Sequence, residues 1–319
     1  MSNPAVQQFL RPTQRRNCDG LYPVITQTFL IRQEANQTSL MTTPIYPQIE
    51  SSGLSHVGYV REENQDSIWL PADKDAANAE NMGLMFALAD GMGGYSHGSL
   101  ASQMALDVLT KIYFKEGHPS KPLKTLRTGV EAANLGVYKE AQRLGIGRMG
   151  TTLTGTVING RTLSMVHVGD SRAYLVRDRR SVCLTNDHTM VGDLVRMKVL
   201  SSDKVRTHAQ RSILTKAVGL SLFVQPDLTQ HELREDDCLI LCSDGVWSVI
   251  DDEDFAHVAG QVSDVEQLSQ DLINLALDHK TDDNVSVIAI RVHALPNPNG
   301  HDQTGSKWFS FLRRKNHAR

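Results

Sequence analysis

Four aspartates in this 319-residue chain sit at the ends of apolar runs, and three are followed at once by glycine or serine. They are Asp90 in Phe86-Ala87-Leu88-Ala89-Asp90-Gly91-Met92-Gly93-Gly94, Asp170 in Val166-His167-Val168-Gly169-Asp170-Ser171-Arg172, Asp244 in Leu239-Ile240-Leu241-Cys242-Ser243-Asp244-Gly245, and Asp283 in Asp282-Asp283-Asn284-Val285-Ser286-Val287-Ile288. A strand terminus holds a carboxylate on rigid backbone, and a neighbouring glycine lets a ligand approach the main chain closely. Carboxylates of this kind converging in space carry a charge density that hard, oxygen-seeking cations relieve, typically magnesium or manganese. The spacing therefore reads as a metal site.

The elements that must position these residues follow from hydrophobic periodicity. Gly83 to Asp90 reads as a buried strand. A helix from His97 to Gly117 carries Leu100, Met104, Val108, Leu109 and Ile112 on one side, and a second has Leu126, Val130, Ala133, Val137, Ala141 and Leu144 at helical spacing. Then the period changes to strands. Thr151 to Ile158 and Arg161 to Val168 flank Asn159-Gly160, a two-residue turn that favours a tight hairpin. A further hairpin joins Arg172–Val176 to Ser181–Leu184. Asp187 to about Arg211 is polar, with short helical patterns, and reads as a flap. Asp237 to Ser243 is a buried strand, Val265 to Lys280 a helix and Asn284 to Val292 a closing strand. Hairpins place neighbouring strands antiparallel, which excludes the doubly wound parallel sheet and predicts an α/β (α+β) architecture of antiparallel sheets covered by helices.

Composition narrows the class. A charged fraction of 22% and a hydrophobic fraction of 40% are ordinary for a soluble globular protein. A net charge of -3 makes no case for nucleic acid as a partner. No apolar run approaches the roughly 20 residues that cross a bilayer. The N-terminus shows no apolar signal core, so the expected compartment is the cytoplasm. Residues 1–50, rich in Gln, Thr, Asn and Pro, read as a poorly ordered extension in which Met41 marks an alternative start. Residues 51–294 form the expected domain, and residues 295–319 a linker and a tail. That tail combines Trp308, Phe309, Phe311 and Leu312 with Arg313, Arg314 and Lys315, a composition suited to an anionic membrane surface or a partner. Of Cys18, Cys183, Cys238 and Cys242, the last two share a strand at roughly 13 Å, too far for a disulfide or shared zinc. The expectation is buried thiols in a reducing compartment.

Taken in order, the motifs resemble the metal-dependent Ser/Thr protein phosphatases of type 2C in their compact bacterial form. From Gly58 to Val292 they comprise Gly58-x-Val60-Arg61-x-x-Asn64-Gln65-Asp66, Asp90-Gly91-Met92-Gly93-Gly94, Gly150-Thr151-Thr152, Val168-Gly169-Asp170-Ser171-Arg172, Leu184-Thr185-x-Asp187-His188, Leu214-Thr215-x-Ala217-x-Gly219, Ser243-Asp244-Gly245 and Asp283-Asn284. The resemblance implies a four-layer sandwich, two stacked antiparallel sheets flanked by helix pairs, with two metals in a cleft at one end. By similarity Asp90 would bridge both Mg2+ or Mn2+ ions, the Gly91 carbonyl would ligate one, and Asp244 and Asp283 would complete the other. Asp66 would contact metal directly or through water, and Asp170 would help bind a weaker third ion. Arg61 matches the phosphate-clamping arginine, whose planar guanidinium suits bidentate contact.

The implied reaction is in-line attack of an activated water on a phosphoserine or phosphothreonine protein, without a phosphoenzyme intermediate. A monomer is expected, opposed by a cognate bacterial-type Ser/Thr kinase. Two positions depart from the better-known eukaryotic pattern. Gln65 replaces a glutamate, and Met92 replaces a histidine thought to protonate the leaving oxygen, so the proton would come from a metal-bound water or another group. His167 and His188 read as structural. Cysteine-based phosphatase chemistry needs Arg six residues after Cys, and Val24, Thr189, Asp244 and Ser248 stand there instead. Asp73-Lys74-Asp75 resembles an aspartyl-phosphate nucleophile only superficially, since Ala76 and Ala77 follow, and reads as a solvated acidic loop. A pseudophosphatase should have lost core carboxylates, and none is lost here. Hydrolysis of small phosphoesters is the remaining enzymatic alternative.

Overall fold

The computed structural model describes residues 29–30, 47–71, 82–93 and 97–297. The strands are β1 Phe29–Leu30, β2 Gln48–His56, β3 Asp66–Trp69, β4 Leu84–Met92, β5 Gly150–Thr151, β6 Leu153–Asn159, β7 Thr162–Val168, β8 Arg172–Arg177, β9 Arg180–Cys183, β10 Asp227–Glu232, β11 Cys238–Cys242 and β12 Val285–Ala294. The helices are α1 His97–Glu116, α2 Pro122–Leu144, α3 Met190–Arg196, α4 Asp244–Trp247, α5 Asp252–Gln261 and α6 Val265–Asp278.

Two six-stranded sheets result, one in the order β1-β2-β12-β11-β8-β9, the other β10-β7-β6-β4-β3 with β5 beside β4. Every strand pairing is antiparallel. The period-2 alternation of side chains divides the interior into three apolar layers. On β4, Leu84, Phe86 and Leu88 face the other sheet, where they meet Leu239, Leu241, Ile288 and Ile290. Met85, Ala87 and Ala89 face outward onto α1 and α2, packing with Leu106, Leu109, Leu126 and Val130. On β12, Val285, Val287 and Ala289 face Phe255, Leu268 and Leu272 of α5 and α6. Helices, sheet, sheet and helices make the four layers that the resemblance implied.

The predicted elements are present with small shifts at their ends. The β6–β7 turn is displaced by one residue: Asn159 pairs with Thr162, so Gly160 and Arg161 are the central pair. Gly160 takes φ 59° at the first central position, as a type II′ hairpin requires. Elements that sequence periodicity passes over are β2, β3, β10 and α5. Phe29–Leu30 pairs with Ser51 and Glu50 at the edge of β2. Within the flap, α3 is capped by Thr189, whose side chain accepts from the Gly192 N–H. Arg206 anchors the flap by donating to the carbonyls of Trp247 and Ile250 and to Asp252. Cys183, Cys238 and Cys242 are free thiols. Cys18, Asp73-Lys74-Asp75 and the aromatic basic tail lie outside the described residues.

Candidate metal centre

The acidic residues gather at one end of the sandwich because four strands begin or finish there. Asp66 starts β3 and is the direct cross-strand partner of Asp90 near the end of β4. Asp244 follows β11, and Asp283 precedes β12, which is antiparallel to it. Asp170 lies on the short crossover from β7 in one sheet to β8 in the other. The parity that sends Leu84, Phe86 and Leu88 between the sheets sends Asp90 there too.

Neighbouring motifs hold these residues by main-chain contacts. The Asp90 N–H donates to Thr152 Oγ1 at 2.9 Å, while its carbonyl accepts from Thr152 N and Thr151 Oγ1, both at 2.8 Å. Thr152 Oγ1 also meets Ser171 Oγ at 2.7 Å, joining the Asp90 and Asp170 segments. Trp247 donates from Nε1 to the Asp170 carbonyl at 2.8 Å. The Asp283-Asn284 pair is gripped between two glycines. Gly58 has φ 81°, and a Cβ there would stand 2.3 Å from the Asp283 carbonyl oxygen. A Cβ on Gly245 would stand 2.0 Å from the Asn284 carbonyl oxygen. Distances below 3.0 Å leave no room for alanine at either place.

Electrostatics report the crowding. Burial first, then the charges of Asp66, Asp244, Asp170 and Asp283, holds the Asp90 carboxyl well above the usual carboxylate range. Asp170 is also raised well above that range, by burial and then by Asp244. Burial, followed by the charges of Asp283 and Asp66, pushes Asp244 up to about 7. Asp66 is raised to about 6, chiefly by burial, against hydrogen bonds from Ser286 and Ser243. Asp283 is raised by burial, with the Asn284 N–H and Arg61 pulling the other way.

The donor set suits hard cations. Ser286 Oγ donates to Asp66 Oδ2 at 2.6 Å, while Asp66 Oδ1 is buried with no hydrogen-bond partner. A buried carboxylate oxygen without a donor is costly unless something cationic meets it. Among the described residues, no three His, Cys, Asp or Glu side chains form a ready-made cage for one ion. Gly91 stands beside Asp90 in β4, its N–H donating to the Gln65 carbonyl at 3.1 Å.

Beside the carboxylates opens a polar cleft of about 130 Å³, lined by Arg61, Asp170, Arg211, Ser212, Asp244, Trp247, Ser248, Asp282 and Asp283. Arg61 Nη2 donates to Asp283 Oδ2 at 2.7 Å, and its Nε donates to the Asp282 carbonyl at 3.1 Å. Arg211 and Ser212 reach the cleft from the flap, and their motif-free setting gave no hint of it. The structure brings Arg61, Asp66, Asp90, Gly91, Asp170, Asp244 and Asp283 to one region.

Gln65 acquires a role through its amide. Its Nε2 donates to the Gly93 carbonyl at 3.3 Å, and a Cβ on Gly98 would stand 2.2 Å from its Oε1. A carboxylate has no donor for the first contact, so Gln65 braces the loop after Asp90. His167 and His188 stack at 5.0 Å between ring centroids. His167 bonds Thr154 Oγ1 and the Asn186 carbonyl, while His188 Nδ1 accepts from the Gly169 N–H. Burial above all pushes His167 down to about 4.

Comparison with known proteins agrees with this geometry. The family model for protein phosphatase 2C matches residues 59–278. The Ser/Thr protein phosphatase PstP of Mycobacterium tuberculosis is 35% identical over 237 residues, covering 74% of this chain and 43% of that protein. The chain thus spans less than half the length of that relative. The Ser/Thr phosphatase of S. agalactiae superposes with a TM-score of 0.70 at 33% identity, over 77% of this chain and 100% of that one. The catalytic domain of PstP in complex with 2 manganese ions superposes with a TM-score of 0.66 at 32% identity, over 77% and 98%. With the motifs in order, the four layers in place and the acidic residues gathered at one end, the chain belongs to the protein phosphatase 2C family.

Proposed function

We propose that this chain is a manganese- or magnesium-dependent phosphatase of phosphoserine and phosphothreonine proteins. The observation that carries the reading is the convergence of Asp66 and Asp90 from one sheet with Asp244 and Asp283 from the other beside an arginine-bearing cleft. Asp90, Asp244 and Asp283, with the Gly91 carbonyl, would hold two cations between them. Asp66 would contact them directly or through water, and Asp170 would help hold a weaker third. Bound there, the cations supply charge neutralisation and a lowered water pKa for in-line attack on phosphorus. Arg61 orients the phosphoryl group, its guanidinium already held at the cleft edge by Asp283 and the Asp282 carbonyl. Met92 offers no transferable proton, so it takes no part in protonating the leaving group.

The substrates are phosphoproteins, and the natural counterpart is a bacterial-type Ser/Thr kinase acting on the same proteins. No described helix is long and apolar enough to cross a membrane. We place the protein in the cytoplasm as a monomer, with Trp308 to Lys315 suited by composition to an anionic surface or a partner. The domain division at about residues 50 and 295 belongs to the same proposal.

The test is hydrolysis of a phosphothreonine peptide with and without manganese. Turnover is expected with the metal, with loss to background on chelation or in Asp244→Asn. Activity that survives either treatment refutes the metal mechanism. Preference for a small phosphoester over the peptide refutes the substrate class.

A further inference from the structure

We infer that Asn284 is a positioning residue for Arg61, acting as a clip that closes the loop carrying it; this deepens the phosphatase reading and rests on it. The loop between β2 and β3 runs from Val57 to Gln65 and has Arg61 in its middle. Asn284 is 5% exposed, and its side chain reaches both ends of that loop. Its Nδ2 donates to the Val57 carbonyl at 2.8 Å and to the Glu63 carbonyl at 3.0 Å. Its Oδ1 accepts from the Gln65 N–H at 2.9 Å. One buried amide therefore satisfies three main-chain groups that belong to no helix or strand ladder, a form of closure that a hydroxyl or carboxylate of similar size lacks the donors to supply.

The same residue also touches the acidic cluster, by a different arm. Its backbone N–H donates to Asp283 Oδ1 at 2.8 Å, and Arg61 Nη2 donates to the other oxygen of that carboxylate. Replacing the side chain removes the clip and keeps the backbone arm, so the two functions are separable. Half of the Arg61 side chain is in solvent, and the loop under it sets where its guanidinium stands. Holding that fork in place before the substrate arrives lowers the ordering cost of binding a phosphoryl group.

The experiment compares Asn284→Ala, Arg61→Ala and the double variant on a phosphothreonine peptide with manganese. Asn284→Ala should raise KM roughly tenfold or more, with the manganese concentration for half-activation within about twofold of the wild type. The double variant should be no worse than Arg61→Ala alone, because a residue that acts through Arg61 has nothing left to act on. Losses that multiply in the double variant, or a manganese requirement that rises along with KM, overturn the inference. A merely structural contribution would multiply. If Asn284→Ala does not fold, Asn284→Asp carries the comparison, since it retains the acceptor for Gln65 and loses both donors. Amide exchange of residues 57–65 gives a readout independent of turnover. Faster exchange confined to that loop in the variant supports the clip even if the wild type proves inactive, and unchanged exchange overturns it whatever the activity.

Discussion

Asp66 and Asp90 oppose each other across β3 and β4, a like-charged cross-strand pair that costs stability unless it is neutralised. Stripped of metal, the protein can relieve that cost only with protons, and this gives a pH dependence of definite sign. Asp244 at about 7, Asp66 at about 6, and Asp90 and Asp170, both raised well above the usual range by burial, bind protons in the folded state that the unfolded chain, near 3.8, releases. Folding then takes up protons, and stability rises as pH falls. The buried His167, held near 4 against its ordinary 6.5, works the other way once pH drops below 6.5. The melting temperature of chelator-treated protein should therefore climb between about pH 8 and pH 6.5. Saturating manganese should flatten or invert that slope, because the ion stabilises the ionised carboxylates. A melting curve series in both conditions checks this, and a metal-free protein that is steadily more stable toward pH 8 contradicts it. Asp90, Asp170, Asp244 and Asp283 were legible in the sequence because each stands at the end of an apolar run, whereas Asp66 came only through the family resemblance. Thr152, Ser286 and Asn284 were less so, since their partners lie far along the chain: Ser286 meets Asp66 across 220 residues, and no local pattern records such a meeting.

Elements that bury one clean face or close a tight hairpin were readable, and short or half-exposed ones were passed over. β10 is Asp-Leu-Thr-Gln-His-Glu, half exposed at the border of its sheet, and carries no apolar alternation strong enough to find. β3 is only four residues long, and α5 betrays itself only by its Asp251–Asp254 capping box. What ties α5 to the centre is a buried polar chain. Arg172, at the start of β8, forms paired hydrogen bonds to Asp187 at 2.9 and 2.7 Å, and its guanidinium lies 3.6 Å from the Trp247 ring centroid. Trp247 in turn holds Asp170, and Arg172 also meets Tyr174, whose hydroxyl donates to Asp252 at the head of α5. Both members of the ion pair are buried, so removing one strands the other. Asp187→Ala should cost about 3–5 kcal/mol in urea unfolding, and the joint replacement Arg172→Met with Asp187→Leu should cost less than that single change. Equal losses in the two would show that packing, rather than the orphaned charge, dominates.

At the scale of the molecule, the site belongs to neither sheet. Asp66 and Asp90 come from one, Asp244 and Asp283 from the other, and Asp170 from the strand-to-strand passage between them. The layered architecture was legible because hairpins and a changing hydrophobic period demanded antiparallel sheets. The strand order was not, because β12 inserts between β2 and β11 by contacts that no local pattern encodes. An ion that binds only when both sheets are in register stabilises the whole fold, so manganese at about a hundredfold its dissociation constant should add about 2.7 kcal/mol to global unfolding. Chemical denaturation with and without the metal measures that increment, and a shift limited to local probes near the cleft would contradict it. The placing of the centre on the line where the sheets meet has an evolutionary consequence. A substitution that tilts one sheet against the other, however remote, changes the spacing between the two carboxylate pairs, so drift in the deep core between the sheets is constrained by the geometry of the centre as well as by folding.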